Sequence, residues 1–111
     1  MIGIQSVGSV SIIKAKNALI GECITHCRNS IDECLASRRP FIVLDLSESP
    51  LIDSEGLEFI LDVQKLCLSR GGRLVVAAAQ PLCEEVLQIT GVDDCVAVFK
   101  DLRAALSDFA R

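Results

Sequence analysis

Two segments of this chain, Phe41-Ile42-Val43-Leu44-Asp45-Leu46 and Arg73 to Ala79, are apolar almost without a break. A half-buried strand alternates apolar and polar residues; an uninterrupted run has no wet face and belongs in a sheet covered on both sides. Each run is followed by apolar residues at helical spacing, which implies strands joined through helices. After the first run, Leu57, Ile60, Leu61, Gln64, Cys67 and Leu68 recur on one helical face, and Gly71-Gly72 closes that helix. After the second, Pro81 suits the first turn of a helix reaching about Ile89, with Gly91 just beyond it. Upstream, Ile20, Cys23, Ile24, Cys27, Ile31, Cys34 and Leu35 mark a helix from about Ile20 to Ala36. Ser37-Arg38-Arg39-Pro40 ends it, because proline disfavours helix at the residue before it. Near the C-terminus, Cys95 to Phe99 reads as a short strand and Asp101 to Ala110 as an amphipathic helix. At the N-terminus, Ile2 to Val7 and Val10 to Ala15 are β-like, with Gly8-Ser9 placed to turn a hairpin. The expected fold class is α/β: an N-terminal β-hairpin, then alternating helices and strands, with about four helices on a mostly parallel sheet.

The chain has 111 residues, enough for one core and too few for two, so a single domain over residues 1–111 is expected. Its net charge of −4 leaves no basic stripe, and four Phe without Trp or Tyr make no stacking platform. Nucleic acid is therefore excluded as a partner. His26 is the single histidine, so two-histidine metal centres are excluded too. No apolar run approaches the ~20 residues a bilayer span requires, and the first residues carry no charged-then-apolar signal. The expectation is a cytoplasmic protein without direct membrane insertion.

The six cysteines lie inside apolar periodic segments rather than in Gly- and Pro-rich loops, so they are expected as free buried thiols. Cys23 and Cys27 sit one helical turn apart with His26 on the flank, but a structural zinc needs four ligands and no second cluster exists. Core packing is the simpler account, and neither a metal nor a cofactor is expected. A thiol enzyme would need a cysteine of lowered pKa, and Cys83, early in the helix after Pro81, has the best position. Glu84 and Glu85 beside it favour the neutral thiol. Gly71-Gly72 precedes a strand rather than a helix, unlike a phosphate loop, and Arg38-Arg39 reads as a solvated loop.

The most informative stretch runs from Phe41 to Phe59. A strand ends at Leu46, a polar loop follows, Leu51-Ile52 returns to the core, and Asp53-Ser54-Glu55-Gly56 opens the next helix. Asp53 or Ser54 can cap the free N–H groups there, worth ~1 kcal/mol. A serine hydroxyl at that position is exposed, and a phosphate on it would face N–H donors and the positive end of the helix dipole.

In these residues the chain resembles the STAS domain family, the fold of bacterial anti-sigma factor antagonists. Ile42 to Ser47 is similar to the family's central strand, and Ile52-Asp53-Ser54-Glu55-Gly56-Leu57 to its Asp-Ser-small-Gly-Leu motif. Gly71 to Val76, Thr90 to Asp94 and Ala104 to Leu106 follow in the same order as in the family. The resemblance implies a non-enzymatic interaction module. In such partner-switching systems the unphosphorylated protein binds a serine kinase that is also an anti-sigma factor, which releases the sigma factor. The kinase phosphorylates the serine after the motif's aspartate, here Ser54, and a phosphatase reverses the step. Asp53, Ser54, Glu55, Gly56, Leu57 and Glu58 would form the partner-binding segment. Two departures stand out. Glu55 occupies the place of a small residue, and Ala15 to Leu19 lacks the acids of the family's Gly-Glu-Leu-Asp-like segment. The rival reading keeps the fold and makes the chain a non-switching STAS subunit of a membrane transport complex or signalling scaffold.

Overall fold

The computed structural model describes residues 2–110. The elements run in chain order as β1 (Ile2–Val7), β2 (Val10–Ala15), α1 (Gly21–Ala36), β3 (Phe41–Asp45) and α2 (Ser54–Ser69). They continue as β4 (Arg73–Ala77), α3 (Pro81–Ile89), a 3-10 turn (Val92–Asp94), β5 (Val98–Phe99) and α4 (Leu102–Phe109). One five-stranded sheet has the order β1-β2-β3-β4-β5. β1 and β2 pair antiparallel as a hairpin, and every later pairing is parallel. The α/β fold expected from the apolar runs is the one observed.

The unbroken apolar character of β3 and β4 now has its reason. Ile42, Leu44, Leu74 and Val76 point into a core shared with α1, α2 and α3, while Val43, Val75 and Ala77 point into a second core under α4. All seven are fully buried. On the α4 side, Phe109 meets Phe41 edge-on at 6.1 Å, and the Arg73 guanidinium lies 4.6 Å from the Phe109 ring while pairing with Asp108. At the other end of α2, Gly72 passes so close to the Pro40 carbonyl that a side chain there has no room, and Arg73 N donates to Pro40 O at 3.0 Å.

Three local expectations change. The α2 face that packs is turned toward Gly56, Phe59, Ile60, Val63, Gln64 and Cys67, leaving Leu57 and Leu61 half-buried and Leu68 57% exposed. Gln64 decides this orientation: it is buried, accepts from Leu74 N at 2.7 Å and donates to Cys95 O at 3.0 Å. β5 is shorter than Cys95 to Phe99, because Cys95 N and Val96 N both bond Val92 O in the 3-10 turn and are lost to the sheet. Ile20 and Leu51, read as core residues, are 40% and 43% exposed.

Candidate functional site

Parallel strands deliver their C-terminal ends, and the loops that follow, to one edge of a sheet; ligands and partners of such folds usually meet that edge. Here β2 and β3 run in register from Val10 with Phe41 to Lys14 with Asp45, and β3 and β4 from Phe41 with Arg73 to Asp45 with Ala77. The loops after all three strands therefore converge.

Side chains pin them together. Asp45, almost fully buried at the end of β3, accepts from Ser47 N at 2.9 Å and starts the turn. Ser49 is fully buried and donates its hydroxyl to Asn17 O at 2.6 Å, tying this loop to the one after β2. Leu19 N donates to Leu51 O at 3.0 Å, and Leu19 and Ile52 form a parallel bridge. From the other side, Gln80 Nε2 donates to Ser47 O at 2.9 Å and the Cys83 thiol to Ser49 O at 3.4 Å.

On this base sits the start of α2. Asp53 is extended (φ −104°, ψ −175°), and its carboxylate accepts from Gly56 N at 2.9 Å. Of the two capping candidates, Asp53 caps. Ser54, the first helical residue, keeps its hydroxyl for solvent; Asp53, Ser54, Glu55 and Glu58 are all exposed and Leu57 is half-buried. Gly56 is different, for it is buried, and a Cβ there would lie 2.5 Å from Leu19 O and 2.7 Å from Ile52 Cγ1. The glycine allows the close approach of the helix to the neighbouring loop. Ile20 and Leu51 stand exposed on the two bonded loops beside Asp53 and Ser54, with Glu22 and His26 near Ile20 around a cavity of about 520 Å³. The sequence reading missed this apolar rim. Its one signal was Leu51, which directly follows Pro50 at the end of a polar loop.

The thiols divide sharply. Burial, reinforced by neighbouring Cys23, pushes Cys27 from 9.0 up to about 12. Burial likewise takes Cys67 to about 11, with Cys34 adding and Arg70 opposing, and it raises Cys83. Cys83 is completely buried, so the thiol-enzyme reading loses its residue: burial of this kind favours the inert thiol. Cys23 and Cys27 are packed in the core, and His26 beside them is exposed. Among the described residues no group of three or more His, Cys, Asp or Glu could hold a metal. Cys95, expected in the core, is exposed, and Cys34 is half-buried.

Alkylation of the native protein near pH 7.5 is therefore expected to modify Cys95 first, with Cys27, Cys67 and Cys83 reacting only on unfolding. Cys95→Ser should abolish the fast phase; fast labelling of Cys83 would contradict the buried placement. Raised thiol pKa values also set a sign. The stability they contribute is complete below about pH 9, where unfolded thiols are protonated, and is lost as pH climbs toward the folded values of about 11 and 12.

Comparison with known proteins agrees with this fold. The STAS domain family model matches residues 1–105. A candidate anti-sigma factor antagonist from Thermotoga maritima superposes with a TM-score of 0.92 at 26% identity, covering 99% of this chain and 95% of its own. The unphosphorylated form of the anti-sigma factor antagonist SpoIIAA, a Bacillus cell fate determinant, gives 0.84 at 15% identity over 99% and 96% of the two chains. A sulfate transporter family protein from Wolinella succinogenes gives 0.80 at 18% identity over 93% and 86%.

Proposed function

The chain belongs to the STAS domain family, and from that premise we propose that it is an anti-sigma factor antagonist-like docking module, one domain without an active site, switched by reversible phosphorylation of Ser54. The observation that carries the reading is the placement of Ser54: an exposed hydroxyl on the first residue of α2, beside a capping Asp53, on a surface where three loops are bonded together. The partner is a serine kinase that doubles as an anti-sigma factor, with a phosphatase completing the cycle, and the setting is the cytoplasm. SpoIIAA, of the same fold, has structures in unphosphorylated and phosphorylated forms.

The switch needs no refolding. A phosphoserine carries about −1.5 to −2 charges, and at a helix N-terminus its oxygens face N–H groups unused by the helix. The helix therefore tolerates the modification. Docking does not: Asp53, Glu55 and Glu58 already surround the site, and like charges forced into an interface cost several kcal/mol. Each ~1.4 kcal/mol is tenfold in affinity, so a hundredfold change is within reach. Ile20 and Leu51 supply the apolar contact that the unmodified surface offers, in place of the acidic segment missing from Ala15 to Leu19.

Co-expression with the native kinase and intact-mass analysis tests the reading. A single phosphate on the wild type, absent from Ser54→Ala, is the expected result. No phosphate, or one that persists in Ser54→Ala, removes the switch. The transporter-like neighbour keeps a second reading in view, a subunit docked on a separate membrane protein, since no helix among the described residues is long and apolar enough to cross a membrane. Retention of a permease rather than a kinase in a pull-down would favour it.

A further inference from the structure

Among the described residues, Ser49 is the one polar residue with no solvent exposure at all. A buried hydroxyl costs free energy unless it is bonded, and an alanine would occupy such a place without that cost. What the serine adds is direction. Its hydroxyl donates to Asn17 O at 2.6 Å, with Ala15 O further off at 3.4 Å. Its N–H donates to Leu46 O at 3.0 Å, and its carbonyl accepts from the Cys83 thiol at 3.4 Å. One residue thus bonds three segments: the loop after β2, the residue that follows β3, and the first turn of α3.

The hydroxyl bond matters because of where the other attachment lies. The loop after β2 meets the approach to α2 at the Leu19–Ile52 bridge, with Leu19 N donating to Leu51 O at 3.0 Å. Attachment at one point leaves two loops free to pivot; attachment at two, Asn17 and Leu19, fixes their angle as well as their separation. The fixed angle is passed on. Leu19 O lies against Gly56, where a Cβ has no room, and Ile20 follows Leu19 onto the apolar rim that Leu51 shares. Ser54 belongs to the same first turn of α2 as Gly56. Without the Ser49 hydroxyl, Asn17 O is left with the Cys23 thiol, a weak donor at 3.8 Å.

We propose that Ser49 is a positioning residue for the reaction at Ser54, holding Ile20, Leu51 and the first turn of α2 in the one arrangement a docking kinase meets ready-made. Ser49 has no exposure, so it meets no partner directly and acts through Asn17 and Leu19. Its loss leaves the kinase to order the two loops on binding, and that ordering is subtracted from affinity. The hold on the loops belongs to this chain alone; its consequence for phosphorylation rests on Ser54 being the residue phosphorylated.

Ser49→Ala, Ser49→Cys and Ser49→Thr test it against the wild type, with thermal unfolding as the check that each is folded. On the protein by itself, the Leu19 N–H of Ser49→Ala should exchange about tenfold faster relative to the N–H groups of β3 and β4. The second measurement is phosphorylation by the native kinase, which transfers the γ-phosphoryl of ATP to the Ser54 oxygen and releases ADP and the hydroxyl proton. For Ser49→Ala its KM should rise about tenfold with kcat within about twofold, because Ser54 stays exposed and the chemistry after docking is the same. Unfolding could raise KM that far only with about nine molecules in ten unfolded, which the melting curve would reveal. Ser49→Thr keeps the hydroxyl and should restore both values, and Ser49→Cys, with its weaker donor, should lie between. Wild-type exchange at Leu19 N in a folded Ser49→Ala overturns the proposal, as does an unchanged KM, or a folded Ser49→Thr no better than Ser49→Ala. A wild type that takes no phosphate overturns the role of Ser54 instead, and exchange at Leu19 N then decides by itself whether Ser49 holds the surface.

Discussion

Gly56→Ala is expected to lower the stability of the protein by about 3 kcal/mol, although it replaces the poorest ordinary helix former with the best. Helix propensity alone favours alanine by about 1 kcal/mol at an interior position. Packing opposes it: the new Cβ would lie 2.5 Å from Leu19 O and 2.7 Å from Ile52 Cγ1, and 3.3 Å from Ile52 Cδ1. A backbone carbonyl held by the Leu19–Ile52 bridge cannot swing aside like the end of a side chain. Relief requires the loop after β2 and the start of α2 to separate, and overpacking of this kind costs about 1–3 kcal/mol, more where backbone must move. Urea denaturation measures the loss, and amide exchange locates it, with Leu19 N and Leu57 N the first to lose protection. Ser54→Ala, two residues away but exposed, should stay within about 0.5 kcal/mol of wild type. If Gly56→Ala proves as stable as wild type or better, the close approach of α2 to the loop after β2 is wrong.

Phe59→Ala should destabilise the chain by ~3–5 kcal/mol, the range for emptying an aromatic from a core. Phe59 is 1% exposed, sits among the α1–α2–α3 core residues, and lies under the Arg28 guanidinium at 5.1 Å. Its removal forfeits burial and ring contacts and leaves a cavity that neighbours on a rigid sheet cannot fill. Against a typical total of ~5–15 kcal/mol, that is a large share. The melting midpoint should fall by about 10–20 °C. Leu68→Ala, at a position 57% exposed, should leave the unfolding midpoint nearly unchanged. Equal effects from the two substitutions would mean that α2 packs on the face first read from its leucines.

That misreading has a physical cause. The apolar residues of α2 cover more than half its circumference, because Leu57, Leu61 and Leu68 line one side and Phe59, Ile60, Val63 and Cys67 another. Periodicity identifies such a helix but cannot choose between two overlapping apolar stripes. The choice is made by one glycine that admits close approach and one glutamine with two buried hydrogen bonds, contacts between residues 10 and 31 apart for Gln64. The same holds for the thiols. Cys83 and Cys95 have similar local surroundings in sequence, yet α3 turns Cys83 into the core while the 3-10 turn leaves Cys95 outside.

Element order, the hairpin at Gly8-Ser9, the doubly covered strands and the helix opening at Asp53 and Ser54 were all legible in the sequence, because each rests on interactions between near neighbours or on a periodicity of burial. A tetrapeptide sufficed to point at Ser54. What surrounds that serine was decided by tertiary structure alone: Ser49 reaching Asn17, Leu19 bridging Ile52, and Gln80 reaching Ser47 across the sheet edge. So was the exposure of Ile20, Leu51, Leu61 and Leu68, whose apolar character says nothing about which side faces water. Local chemistry determines the start of a helix; the face it presents is set by the distant chain it must pack against.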